Sequence, residues 1–541
     1  MVKIKRNYKV LGDGRDLFNE EIIEMIIENR GIQDIEHFLN PVKEDLLPLD
    51  DLKYIDKAKS IVEKGIKNNE RILVVADTDL DGVSSGTIMY RYLHKYMDNI
   101  QWTINEGKAH ELLNQDIKRF MNTDILIIVD SLDKDNSLYK ELWNNGIKII
   151  ILDHHFISPD VDYDSYTTLV SSQREYDNPH LSGAGVVWKF CKYLDKHFGN
   201  DYADELVDLA ACGLIADMSD ISEQSKENRY ICHIGLSQIY NPAIKKIVGS
   251  FPFNSTSISF SIAPLVNAAQ RMNRNESAIK AFLSDDNKEV LKYVKELKQC
   301  RIDQNVEVDS LMDDIIKQGN EQLDKKVITI FINTEASISG LIGNKLLERY
   351  QRPLLILKEK EIDDELYYTG SARAIGVDDF RQMCEDTELC SAKGHELAHG
   401  VKIKVCNYKD FISRLENQLK DINFEVNTVI DVELSISDIN RELVDKIKEI
   451  DKISGTGFKA ITVRISDITN YKIGNMSQGK HLVIKPSNYL QLIRWNWNGD
   501  FDEMEDNSMM EEPITVVGNL DSGFLGRQFT LKVICNEIEV G

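Results

Sequence analysis

Three aspartates at alternate positions, Asp77, Asp79 and Asp81, close the apolar run 72–75 in the stretch RILVVADTDLDGVSS. Carboxylates this dense repel one another unless a cation sits among them, and a hard, oxygen-rich set of this kind suits Mg²⁺ or Mn²⁺. The pattern D-x-D-x-D-G also begins an EF-hand loop. That reading fails here because the twelfth position from Asp77 is Ile88 rather than a bidentate acid. The motif also follows a strand pattern, not a helix. Three further stretches end in the same chemistry. Residues 125–129 are apolar and close on Asp130, residues 149–152 close on Asp153-His154-His155, and the small-residue run LAACGLIA closes on Asp217. Singly, an acid after a strand is a turn or a cap; four such endings in one region form a set.

The elements that must position these groups follow from periodicity. Residues 72–75 read as a buried strand, Gly82 as its break, and Thr87 as the opening of a helical pattern. Strands alternating with helical segments predict a parallel sheet whose carboxyl edge gathers the acids. Residues 1–69 read as helical, with an isoleucine stripe at 22, 23, 26 and 27 and another apolar stripe at 55, 58, 62 and 66. Residues 285–325 read as connector helices. The last part of the chain shows short β-rich runs suited to a small barrel, with Trp495 and Trp497 placed on one strand face.

The 541 residues carry a net charge of −24, which disfavours non-specific nucleic-acid binding over the whole surface but leaves room for a local basic groove. Eight cysteines without a C-x-x-C pair argue against zinc ribbons and a disulfide framework, and point to reduced thiols in the cytoplasm. No apolar run approaches membrane-spanning length, so no membrane association is expected.

The series Asp77/Asp79/Asp81, Asp130, Asp153-His154-His155 and Asp217 resembles the four motifs of the DHH phosphoesterase superfamily, and within it the RecJ family of single-strand-specific exonucleases. RGI (30–32), FLNP (38–41), LSGAGV (181–186), ENR (227–229) and APLVNAAQRM (263–272, against the family's PRINAAGRM) extend the likeness. GLIGNKLLERYQRPLLIL (340–357), GSAR (370–373) and KGHELAHG (393–400) resemble the DHH-associated domain. The resemblance implies an α/β architecture: an N-terminal helical region (1–69), a parallel-sheet DHH catalytic domain (70–284), connector helices (285–325), an α/β DHH-associated substrate-binding domain (326–424) and an OB-fold domain (425–541). It implies two divalent ions, Mn²⁺ or Mg²⁺, on Asp77, Asp79, Asp81, Asp130, His154 and Asp217, with Asp130 bridging. It further implies His155 facing the scissile phosphate and Asp153 orienting the histidine pair.

By the same likeness, Ser371 and Arg373 bind a 5′-phosphate, and His395 contacts the nucleotide beside the cut. Substrate selection is expected between the catalytic and associated domains. The implied activity is 5′ to 3′ hydrolysis of single-stranded DNA to 5′-mononucleotides in recombination, repair or replication. A monomer working with a single-strand-binding protein or helicase fits that activity. Three departures stand out. TINEGKAHEL (103–112) lacks the family arginine, so Lys108 and His110 are the candidates to replace its phosphate contact; Leu265 stands for a second arginine; and the second motif reads DSL. They suggest a divergent exonuclease with a phage gene as one source. Two alternatives share the fold: a phosphodiesterase for short oligonucleotides or cyclic dinucleotides, and a non-catalytic scaffold.

Overall fold

The computed structural model describes residues 5–105, 112, 116–334, 337–477, 479–497, 501–509, 512–525 and 528–540. Lys108 and His110 lie outside the described residues. The chain divides into two compact units, one of residues 32–302 and 448–460, the other of residues 1–31, 303–447 and 461–541.

The first unit is built on a five-stranded sheet in the order Ile100–Ile104, Ile72–Ala76, Ile125–Val129, Lys148–Asp153, Thr168–Ser171. Every pairing is parallel. Strands covered on both faces need side chains that are apolar at every position. This is why 72–75 and 125–129 are unbroken runs of Ile, Leu and Val rather than alternating ones. Val74, Ala76, Ile127, Val129 and Ile150 face a core completed by helices Leu80–His94, Gly183–Phe198 and Val207–Ala216. Leu73, Val75, Leu126, Ile128 and Ile149 face Leu138, Tyr139 and Leu142 of helix Ser137–Asn144.

The strand order reverses once within this sheet. From Ile72–Ala76 the chain steps to Ile100–Ile104 on one side, then returns to Ile125–Val129 on the other. Such a reversal opens a crevice at the carboxyl ends of the two strands it separates, the position where open α/β sheets bind ligands. Asp77 and Asp130 are the first residues beyond those two strand ends.

The helix after the first acids begins at Leu80, not near Thr87. Asp79 is its N-cap and accepts the backbone N–H of Gly82 at 3.0 Å. Gly82 therefore continues the structure instead of breaking it. A Cβ there would come within 2.6 Å of the Asp77 backbone, so the glycine lets the first turn pack against the strand end.

A buried ion pair ties the loop before the parallel sheet into the unit. Lys189 Nζ reaches Glu227 Oε1 at 2.5 Å and donates to the carbonyl of Leu47 at 2.8 Å. Glu227 also accepts from Tyr176, Asn178 and the backbone of Leu47.

In the second unit, residues 5–10 form a strand, Lys5–Val10, paired in parallel with Glu425–Ile430. The helical reading of 1–69 misses it because KRNYKV has no apolar periodicity and its partner is remote in sequence. A five-stranded mixed sheet follows, in the order Cys390–His395, Ala398–Lys404, Glu365–Arg373, Leu354–Ile362, Ile328–Phe331. The C-terminal strands make a seven-stranded mixed sheet from Val432–Leu434 to Lys472–Met476. Strand Leu490–Arg494 stops before Trp495, and Asn496 takes φ +53°, so Trp495 and Trp497 do not share a strand face. The connector is a single helix, Asn287–Asn320. All eight cysteines are free thiols. Among the described residues no helix is long and apolar enough to cross a membrane.

Candidate metal centre and phosphate site

Three strand ends, the first turn of helix Leu80–His94 and the C-terminus of helix Val207–Ala216 deliver the acids to one place. Among the described residues, three groups of side chains have ligand atoms within 4.8 Å of one another: Asp77, Asp79 and Asp130; Asp130, His154 and His155; and Asp81, His154 and Asp217. Asp130 and His154 each belong to two groups, so the seven side chains form one connected cluster. His154 Nε2 lies 3.2 Å from Asp130 Oδ1 and 3.8 Å from Asp81 Oδ2, and its Nδ1 lies 3.7 Å from Asp217 Oδ2.

Each acid is held by a local device. Asp130 takes φ +54°, a left-handed conformation that few non-glycine residues adopt and that recurs at functional sites. Its N–H is fixed to the carbonyl of Leu152 at 3.0 Å. Asp81 accepts the backbone N–H groups of Gly183 at 2.8 Å and Ala184 at 2.9 Å, at the positive end of helix Gly183–Phe198. A Cβ on Gly183 would stand 2.5 Å from Asp130 Oδ1, and one on Gly213 would overlap Asp81 Oδ1. LSGAGV and LAACG are therefore glycine-bearing because helices press directly on carboxylates. Asp77 Oδ1 accepts from Asn105 Nδ2 at 3.3 Å, and the same amide reaches Ser131 Oγ at 3.4 Å.

Asp153 is fully buried and serves one histidine of the pair. His155 Nδ1 lies 2.8 Å from its Oδ1, and the His155 backbone N–H donates to its Oδ2 at 2.9 Å. The Asp153 charge raises His155 to a pKa of about 9, against the opposing effect of burial. Burial pushes Asp153 up, but His155 and His154 together bring it below its ordinary value. Hence this one acid–base pair is balanced within the protein.

The rest of the cluster is not. Burial, followed by the nearby Asp81, Asp79 and Asp77, pushes Asp130 well above the usual carboxylate range. Burial also raises Asp81 and pushes Asp217 up to about 6. Asp130 Oδ1 is buried and makes no hydrogen bond among the described residues. A buried carboxylate oxygen among like charges, with only the His154 ring 3.2 Å away, is costly. Divalent cations relieve that cost, and the donor set of carboxylate oxygens with an imidazole suits Mn²⁺ or Mg²⁺.

The residues expected to meet phosphate lie in the second unit. Ser371 and Arg373 are on strand Glu365–Arg373, and His395 ends strand Cys390–His395. Ala398 of the strand between them pairs with both Arg373 and His395, so those two share one row of the sheet. Ser371 Oγ lies 2.9 Å from Ser339 Oγ at the start of the 12-residue helix Ser339–Tyr350. Arg373 Nε donates to Asn344 Oδ1 at 2.7 Å. Gly340 and Gly343 of that helix face the arginine, where added Cβ atoms would stand 2.6 Å from Nη2 and 2.9 Å from Cγ. A helix N-terminus, a hydroxyl and a guanidinium together offer an anion-binding corner. Ser339, Asn344, Asn105, Gly183 and Gly213 escape a reading by motif chemistry. Only the small-residue pairs in GLIG and LAACG hint at the close approaches.

Residues 71–214 match the sequence model of the DHH family, N-terminal domain. The SPbeta prophage-derived single-strand DNA-specific exonuclease YorK of Bacillus subtilis (strain 168) is 28% identical over 474 residues, covering 81% of each chain. The single-stranded-DNA-specific exonuclease RecJ of the same organism is 27% identical over 465 residues, 81% of this chain and 57% of that protein. Among solved structures, RecJ from Thermus thermophilus in complex with Mn²⁺ superposes with a TM-score of 0.77 at 18% identity, covering 99% of this chain and 80% of that one.

Proposed function

We propose that this RecJ-like, DHH-domain chain is a metal-dependent 5′ to 3′ exonuclease that hydrolyses single-stranded DNA to 5′-mononucleotides. The observation that carries the reading is the connected cluster of Asp77, Asp79, Asp81, Asp130, His154, His155 and Asp217 at the strand-order reversal. The prophage relative and the RecJ proteins bear the name of a single-strand-DNA-specific exonuclease, and a RecJ of the same fold is solved with Mn²⁺.

Asp77, Asp79 and Asp130 would hold one divalent ion, Mn²⁺ or Mg²⁺, and Asp81, His154 and Asp217, with Asp130 beside His154, would hold the other. When bound, the ions supply Lewis-acid charge to the phosphate and acidify water for in-line attack. The chain's residues do the rest. Asp153 holds His155 through Nδ1 and through its backbone N–H, so the imidazole stands beside the cluster, aimed to meet a phosphate oxygen. Helix Gly183–Phe198 holds Asp81 in place through two N–H groups. Ser371 and Arg373 read the terminal 5′-phosphate, and His395 contacts the adjoining nucleotide.

The C-terminal sheet serves as an OB-like DNA-binding element. The chain works as a monomer in the cytoplasm, in recombination, repair or replication of DNA, alongside a single-strand-binding protein or helicase. The test is digestion of 3′-labelled single-stranded and duplex DNA in Mn²⁺ or Mg²⁺, with and without a 5′-phosphate. Release of mononucleotides from long single strands, with blunt duplex spared, is the expected result. Survival of long strands while di- to pentanucleotides are cut would overturn it.

A further inference from the structure

The segment APLVNAAQRM lacks the arginine expected to meet DNA, and Leu265 in its place is buried. What the segment does instead is visible in its contacts. Gln270, on helix Ala263–Arg271, donates from Nε2 to Thr78 Oγ1 at 2.5 Å. Thr78 is 1% exposed and lies between Asp77 and Asp79, in the short link joining strand Ile72–Ala76 to helix Leu80–His94. The next helix, Asn275–Leu283, reaches the same region: Asn275 Nδ2 donates to the carbonyl of Asn105 at 3.3 Å, and Asn105 Nδ2 meets Asp77 Oδ1 and Ser131 Oγ. The first helix thus holds the acid loop directly, and the second holds Asn105, whose amide meets Asp77.

We propose that Gln270 is a positioning residue that sets the Asp77–Asp79 carboxylates for metal binding through its hydrogen bond to Thr78. A link this short has few backbone torsions. Fixing the side chain between the two acids therefore restricts both of them. Asp77 keeps its bond to Asn105 and Asp79 its bond to Gly82. Without the Gln270 bond, however, the link between them gains freedom that must be lost when the ion binds, and affinity falls by that ordering cost. Groups that orient metal ligands from outside typically account for about 10–100-fold in affinity.

The inference rests on the acids being metal ligands, as proposed above. The test is Mn²⁺ affinity of the full chain, read from the electron paramagnetic resonance signal of free Mn²⁺, with metal-free thermal melts alongside. Gln270→Met keeps length and volume but loses the donor, Thr78→Val loses the hydroxyl, and Thr78→Ser keeps it. The expected result is about tenfold weaker Mn²⁺ binding for Gln270→Met and for Thr78→Val. The double variant is expected to be weaker by less than the product of the two single losses, because both remove the Gln270–Thr78 bond. Thr78→Ser should bind as the unaltered chain does. Unchanged affinity in Gln270→Met, or losses that multiply in the double variant, would overturn the proposal. If Gln270→Met does not fold, equal affinity of Thr78→Val and Thr78→Ser overturns it. Failure of the unaltered chain to bind Mn²⁺ would instead overturn the metal reading, and this inference with it.

Discussion

Asp153 and His155 are joined twice, by a 2.8 Å contact from Nδ1 to Oδ1 and by a backbone N–H bond of 2.9 Å to Oδ2. The two bonds fix both the ring and the backbone that carries it, so the imidazole is aimed before any substrate arrives. Asp153→Asn keeps the shape but loses the charge and one of the two acceptors that aim His155. Turnover should fall by about 10–100-fold, as for other partners that orient a site histidine. The metal-free melting temperature should fall modestly, because the asparagine amide can accept from only one of the two buried His155 donors, a loss of about 1–3 kcal/mol. Turnover equal to that of the unaltered chain would show that His155 takes no part.

Gly213 offers a steric test of the metal centre. A Cβ at this position overlaps Asp81 Oδ1 and would stand 2.5 Å from Ala184 Cβ. Gly213→Ala must displace the carboxylate or the helix that caps it. Overpacking of this kind costs about 1–3 kcal/mol of stability. Divalent-ion affinity should fall as well, which calorimetric titration with Mn²⁺ will register.

Arg373 is held by Asn344 beside the first turn of helix Ser339–Tyr350. A hydrogen bond to a charged group is worth about 1.5–3 kcal/mol. Arg373→Ala should therefore reduce the preference for a 5′-phosphorylated end over a 5′-hydroxyl by about 10–100-fold. Cleavage of the hydroxyl substrate should be nearly unchanged. Competition between the two labelled substrates measures the ratio directly.

His399 is 3% exposed in the second unit, and burial lowers its pKa from 6.5 to about 4. The fold thus favours the neutral ring. Its contribution to stability is fully present above about pH 6.5 and is lost as pH falls through about 4. Thermal melts between pH 7 and pH 4 should show this acid limb. His399→Met, which cannot titrate, should make the limb shallower, and an unchanged limb would assign the loss to other groups.

The acids of the metal centre are legible in the sequence because each one closes an apolar run, and a parallel sheet brings strand ends together whatever their spacing. The supports of those acids are not legible. Asp81 is held by the N–H groups of Gly183 and Ala184, which any residue type but proline possesses, so no side-chain pattern marks them. Gly213 reads as one more small residue in LAACG until its distance to Asp81 is known. Strand Lys5–Val10 is invisible for a different reason: its polar sequence gains a structure only from a partner at Glu425–Ile430. Trp495 and Trp497 look like a strand face by spacing alone, yet the positive φ of Asn496 turns the chain between them.

The central claim is that two divalent ions share Asp130. Anomalous diffraction at the manganese edge from crystals of the full chain grown with Mn²⁺ tests it most directly. Two peaks are expected, one among Asp77, Asp79 and Asp130 and the other among Asp81, Asp130, His154 and Asp217, with both lost in Asp130→Ala. A single peak that leaves Asp130 uncoordinated, or no peak in this cluster, would contradict it.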